Sequence, residues 1–211
     1  MASRGDQTRE RLLDVAQDLF GRHGVANVSL RQIRLAADQR NVAAVQYYFG
    51  DREGLVRALA DRHSPRILAL QEAVLERAGG LEGADFRGLV EAYVLPYAAY
   101  VAVGPGERSW IRVLSDLISN PQLSLETLSE ETASLAVAVG RAVFAHVAQH
   151  MPEEVAGERV WFVAMSGIHI CANRARILDD PDAVRRLSSD DAFARNLVDL
   201  SVGALSAPVT G

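Results

Sequence analysis

Between Ser29 and Gly50 the chain gathers the side chains needed to grip and read a polyanion. Arg31 and Arg40 are permanent cations whose forked donors suit phosphate oxygens. Asn41 and Gln46 carry amides that can bond base edges. Tyr47 adds a hydroxyl that reaches phosphates. Ala43 and Ala44 are small enough to let a backbone approach a groove, and Ser29 completes the candidate set.

Two short helices must position these groups. Ser29 is a good N-cap, and Gln32 three residues on completes a capping box. Leu30, Ile33 and Ala37 share one helical face. Asp38-Gln39-Arg40-Asn41 holds no apolar residue and suits a turn. Asn41 is expected to cap the second helix, on which Val42, Val45 and Phe49 form the buried stripe. Gly50 ends it, and Asp51 caps the next helix. Ala43, Gln46 and Tyr47 then face outward, flanked by Arg40 and Asn41. The arrangement is that of a helix-turn-helix whose second helix reads double-stranded DNA.

Here the sequence resembles the TetR family of regulators. Val45-Gln46-Tyr47-Tyr48-Phe49-Gly50-Asp51-Arg52-Glu53-Gly54-Leu55 looks like the segment closing that family's DNA-binding domain. Thr8-Arg9-Glu10-Arg11-Leu12-Leu13-Asp14-Val15-Ala16 and Leu19-Phe20-Gly21-Arg22-His23-Gly24 match its first helix. Asp38 stands where Gly is usual, Tyr48 replaces His and Arg52 replaces Lys. The resemblance implies phosphate contacts from Tyr47, Tyr48 and Arg52. It also implies a homodimer binding palindromic operator DNA, and an effector cavity in the rest of the chain.

Composition is that of a globular protein, with 49% hydrophobic and 23% charged residues. The net charge of −5 argues against a nucleic-acid binder taken whole, but the charge is uneven. Residues 1–62 hold ten arginines against eight acids; the remainder holds twelve against nineteen. The N-terminal part is thus the polyanion-facing end. Every basic residue is Arg. The single cysteine, Cys171, allows no intrachain disulfide and fits a reducing, cytoplasmic setting. Met1–Asp6 has no apolar core for a signal peptide. The apolar run Val160–Ala172 is too short to span a bilayer, so no membrane role is expected.

The chain reads as all-α with about nine helices. The expected division is an N-terminal helix-turn-helix domain over 1–50 and a larger ligand-binding and dimerisation domain over 51–211. The first helix covers 7–20, with Gly21 and Gly24 as stops. A fourth helix from 51 is expected to break near Ser64 at Pro65. Further helices are placed at 85–103, interrupted at Pro96, then at 107–118, 124–150, 153–178 and 189–206.

In the second region Tyr93, Tyr97 and Tyr100 form an aromatic stripe. Trp110, Leu114, Phe144, Trp161, Met165, His169 and Asn173 also stand among apolar neighbours. Core packing explains any one of them; together they are candidates for the lining of a cavity for a small hydrophobic effector. Asn173, Arg174 and Arg176 could orient a polar or anionic ligand group. Ile168, Phe193, Leu197, Leu200 and Ala204 are the candidates for dimerisation, because the last two helices look apolar on more than one face.

Several readings carry less weight. Arg22-His23-Gly24 spells a histidine-phosphatase triplet but follows a helix, not a strand. His146 and His150 at i, i+4 lack a third ligand, so no metal is expected. No cofactor motif or nucleophile–base pair is present, and no enzyme is expected. The expected function is a ligand-responsive repressor; an activator, or a helical lipid-binding module or enzyme without DNA function, is the alternative.

Overall fold

The computed structural model describes residues 3–119 and 130–210. Among them there are ten helices and no strand. The first helix, α1, spans Arg4–His23. It begins three residues early because Ser3 and Asp6 form a capping box. It also runs through Gly21, which was expected to stop it. There the missing side chain admits α7: a Cβ on Gly21 would lie 2.4 Å from the Ser109 hydroxyl and 3.0 Å from its carbonyl oxygen. Gly24, at φ 85°, ends the helix.

Helix α2, Leu30–Ala36, starts from the expected Ser29–Gln32 capping box. Its end explains the unusual turn. Asp38 sits at φ 55°, the left-handed conformation that Gly adopts without strain. The Asp38 N–H donates to the Leu35 carbonyl and the Gln39 N–H to the Arg34 carbonyl, both at 3.0 Å, which is the Schellman pattern. The Arg34 guanidinium closes the loop on the Gln39 carbonyl at 2.5 Å. Helix α3, Ala44–Phe49, begins later than expected. Asn41 does not cap it; its side chain accepts from the Ala43 N–H at 3.0 Å and caps the preceding turn.

Helix α4, Arg52–Arg77, is continuous, and the expected break at Pro65 is absent. Pro65 removes one backbone bond to the Asp61 carbonyl, yet Leu59, Ala60, His63 and Ile67 are buried on both sides of it and hold the helix together. A short α5, Gly80–Gly83, had no sequence signal. Helix α6, Phe86–Val103, likewise passes unbroken through Pro96. Then come α7 (Pro105–Ser119), with its proline in the first turn, α8 (Glu130–Val147), α9 (Glu153–Asp179) and α10 (Asp190–Ser206). The expected start of α8 near Ser124 lies outside the described residues. One core runs from α1–α4 into α6–α10. Its main pairings are α4 on α6, α7 on α9, α10 on α6, and α1 on α7.

Asp38 makes the fold's turn testable. Asp38→Gly should raise stability by up to about 1 kcal/mol, since relief of left-handed strain outweighs the added freedom of the unfolded chain. Urea denaturation of both proteins measures the difference.

Candidate nucleic-acid interface and apolar cavity

Ser29, Arg31, Arg40, Asn41, Ala43, Gln46 and Tyr47 are all exposed around α2 and α3, Tyr47 with 80% of its surface free. Ala44 is not among them: at 3% exposure it packs in the core, because α3 starts only at Ala44 and Asn41–Ala43 form a turn ahead of it. For the same reason Val42, expected in the core, is 81% exposed. It is an apolar side chain at the front of the reading helix that sequence reasoning missed. The short Asn41–Ala43 turn is the signal that would have shown it.

The arginines divide by role. Arg11 donates to the Ala37 carbonyl at 2.8 Å, Arg34 to Gln39, and Arg52 to the Val28 carbonyl at 3.0 Å. These brace the helix-turn-helix from behind. Arg52, expected as a phosphate contact, is half-buried, holds the Val28 carbonyl and leaves its Nε unpartnered. Tyr48 is half-buried, with Tyr47 edge-on to its ring at 5.0 Å. Arg9, Arg22, Arg57 and Arg62 are ion-paired. Arg31 and Arg40 make no hydrogen bond or ion pair among the described residues, which leaves two unneutralised cations on the outer face.

Behind this face lies a buried polar junction. Gln17 of α1 donates to the Gly106 carbonyl at 2.7 Å, which turns its side-chain oxygen towards His63 of α4. His63 Nε2 therefore carries the proton and donates to Gln17 Oε1 at 2.7 Å. Its Nδ1 accepts from the Tyr100 hydroxyl of α6 at 2.6 Å. Trp110 of α7 stacks on the imidazole, with centroids 5.1 Å apart and planes 7° from parallel. Burial holds the His63 pKa down to about 4, and the neighbouring Arg62 cation pushes the same way. Burial first, and Glu107 second, push Tyr100 up to about 12, so its hydroxyl stays a donor. Tyr100 and Trp110, both expected in a cavity, thus belong to the junction.

The cavity lies further along the same helices and has a volume of about 440 Å³. Tyr93, Tyr97, Leu114, Phe144, Trp161 and Met165 line it, as the sequence led one to expect. Ile118, Val137, Gly140, Arg141 and Ala164 join them. Ile168, expected at a dimer contact, also faces inward. Tyr100 shares the tyrosine stripe but stands seven residues from Tyr93, about 10 Å along the axis, and so leaves the cavity. His169 and Asn173 lie on the other side of α9, beside Arg174, Arg185 and Arg186 in a separate groove. His169 is held there by Ser119 at 2.9 Å and the Met165 carbonyl at 2.6 Å. Arg174 is committed to Ser188 and Asp190. Burial pushes the Cys171 thiol up to about 12, so it stays protonated.

The proposed dimer stripe on α10 is divided. Leu197, 3% exposed, turns inward with Val198, Ser201 and Leu205. Phe193 is half-buried beneath the Arg174 guanidinium, 4.5 Å from the ring centre. Leu200, Gly203 and Ala204 are exposed, as is Phe162 on α9. Among the described residues no group of three or more His, Cys, Asp and Glu side chains could hold a metal ion, and no helix is long and apolar enough to cross a membrane.

The chain is all-α, and its short α2 and α3 form a helix-turn-helix whose outer face is unpartnered. The pattern of "Bacterial regulatory proteins, tetR family" matches residues 12–59. An uncharacterised HTH-type transcriptional regulator in the dhlA 5′ region of Xanthobacter autotrophicus is 37% identical over 82 residues, 38% of this chain and 40% of that protein. The HTH-type transcriptional dual regulator CecR of Shigella flexneri is 40% identical over 60 residues, 28% of this chain and 26% of that one. The matches thus span less than half of these relatives. Crystalline NalD of Pseudomonas aeruginosa superposes with a TM-score of 0.53 at 20% identity, over 94% of this chain and 96% of that one, a likeness of fold. Residues 12–59 thus carry the pattern of the tetR family of bacterial regulatory proteins, and the whole chain shares its fold with solved regulators. That family and these relatives are regulators, not enzymes.

The junction makes stability depend on pH. The unfolded imidazole titrates near 6.5 and the folded one at about 4, so the unfolded chain takes up the proton first. The contribution is complete above pH 6.5 and is lost as pH falls towards 4, a loss of about 3 kcal/mol. His63→Gln, which does not titrate, should remove most of that slope. Urea midpoints of the two proteins at about pH 7, 5.5 and 4.5 give the comparison.

Proposed function

We propose that this chain is a one-component transcriptional regulator that acts as a homodimer on a palindromic operator. Residues 1–50 form its DNA-reading part, and 51–211 its effector-binding and dimerisation part. The observation that carries this reading is the outer face of α2 and α3. It holds the free cations Arg31 and Arg40 beside Gln46 and Tyr47, none of them used by the fold. Arg31, Arg40 and Tyr47 suit phosphates; Asn41 and Gln46 suit base edges; Val42 and Ala43 suit thymine methyls.

The effector is a small, mostly hydrophobic molecule held in the cavity. Tyr97 and Tyr100 place one helix in both the cavity and the junction, and Leu114 and Trp110 do the same for α7. An effector that binds one setting of these helices better shifts α1 and α4, and with them the spacing of the two reading helices. The effect is read as repression released by effector. NalD is described as the secondary repressor of a multidrug efflux pump, whereas CecR is described as a dual regulator, so activation is the second reading.

Gln46→Ala should weaken operator binding by roughly 1–3 kcal/mol and relax the preference at one base pair. Arg31→Ala should weaken specific and non-specific DNA alike and flatten the salt slope by about one unit. Titrations of operator and random duplex at several salt concentrations separate the two roles. If neither variant changes binding, the reading face is misplaced.

For the dimer, Leu200→Glu places a charge on the exposed apolar face of α10 and should yield a folded monomer with weak operator binding. Leu197→Glu buries that charge inside the protomer and should unfold it instead. Sedimentation and circular dichroism of both variants decide, and a wild-type monomer at micromolar concentration would refute the assembly.

A further inference from the structure

The cavity has one charged pole. Among its described lining residues there is no acid, histidine or lysine, and a single arginine, Arg141 of α8. That guanidinium makes no hydrogen bond or ion pair among the described residues, although most arginines of this chain are tied to an acid or a carbonyl. The same cavity holds two more unused donors. The Tyr93 ring rests on α8 where Gly140 has no side chain: a Cβ there would be 3.3 Å from the ring and 3.5 Å from the hydroxyl. This sets the Tyr93 hydroxyl next to the residue preceding Arg141. The Tyr97 hydroxyl also has no partner among the described residues, and burial raises the pKa of both phenols, Tyr97 to about 12. They remain neutral donors. The rest of the wall is aromatic or aliphatic: Phe144, Trp161, Leu114 and Ile118.

A wholly apolar ligand would leave the two phenol donors unanswered, and a cation would meet an unneutralised guanidinium. A carboxylate answers all three, because it accepts from a forked guanidinium and from neutral hydroxyls at once. We infer that the effector is an amphipathic monoanion, an aromatic carboxylate or its chemical equivalent, with its charged end at Arg141 and the Tyr93 hydroxyl and its ring against Phe144 and Trp161. The inference rests on the reading of this cavity as the effector site. The volume of about 440 Å³ falls in the range of roughly 300–1,000 Å³ usual for such ligands.

Three probes of one shape test it on the full-length protein: 1-naphthylacetate, 1-naphthylacetamide and 2-(1-naphthyl)ethylamine, titrated by calorimetry. The acetate should bind about tenfold more tightly than the amide, and the amine least. Arg141→Gln should abolish the preference for the acetate and leave the amide's affinity unchanged; Arg141→Lys should restore part of it. Added salt should narrow the gap between acetate and amide, since Arg141 stands at a solvent-exposed edge. Ala164→Phe, which fills the cavity, should abolish binding of every probe. If the amide equals the acetate in the wild type, or Arg141→Gln lowers both alike, the anionic pole is wrong while the cavity reading stands. If no probe binds, or Ala164→Phe binds them as well as the wild type, the effector site itself is misplaced and this inference falls with it.

Discussion

Four helices meet at one imidazole. Tyr100 donates to His63, His63 to Gln17, and Gln17 to the Gly106 carbonyl, so each proton in the chain points the same way. The direction is set at one end by the carbonyl, which can only accept, and at the other by a phenol that stays protonated. The two links at His63 are shut away from water, and the one at Gly106 is partly so. A displacement of α6 or α7 against α1 and α4 therefore strands a buried donor or acceptor, at a cost of about 1–3 kcal/mol. Such a junction resists gradual sliding and favours a small number of discrete settings. Gly21 and Ser109 reinforce this from the side, because their near-contact leaves α1 no freedom to approach α7 further. The Ser109 hydroxyl is itself bonded to the Gln17 carbonyl at 2.9 Å.

The outer face inherits its geometry from this junction. Helix α1 carries Arg11, which holds the end of α2, and α4 carries Arg52, which holds the loop ahead of it. Arg62 ties α4 to Glu10 and Asp14 of α1 at 2.6 and 2.7 Å. The two short helices are too small to be stable alone. They are positioned by side chains reaching forward from two long ones. Arginine suits this task because a planar fork can grip a backbone carbonyl while its stem lies along apolar surface. The same residue type left unpaired, as at Arg31 and Arg40, becomes a free cation on the surface. Fold and electrostatics thus draw on one kind of side chain, and only its partners distinguish the two uses.

The cavity has a comparable origin. Gly140, Ala164 and Gly167 place little bulk where α8 and α9 face α6 and α7, so the larger aromatic side chains around them enclose space instead of filling it. Tyr93 and Tyr97 look into that space and Tyr100 into the junction, all from a single unbroken helix. Pro96 does not interrupt it, so cavity and junction lie on one continuous rod.

Local pattern was enough for much of this. The capping box at Ser29, the cap at Asp51, the α9 span and the all-α class follow from side chains that act on their own backbone within a few residues. The helix-turn-helix was legible for the same reason, and so were the outward positions of Gln46 and Tyr47. Where the sequence misled, a distant partner decided. Pro65 and Pro96 have the chemistry of helix breakers, but packing on both sides outweighs one lost backbone bond. Gly21 looked like a stop until α7 came to lie against it. An error of two residues in the start of α3 exchanged Ala44 and Val42 between core and surface, because Val42 falls in the turn ahead of the helix and Ala44 in its first turn. Spacing placed Tyr93, Tyr97 and Tyr100 on one stripe; it could not show that the stripe is longer than the cavity. Leu197 and Leu200 were equal in sequence, and only the packing of α10 on α6 buried one and left the other exposed. The polar chain through His63 was invisible beforehand, since its members lie 37 and 46 residues apart and only the tertiary fold brings them within hydrogen-bond reach.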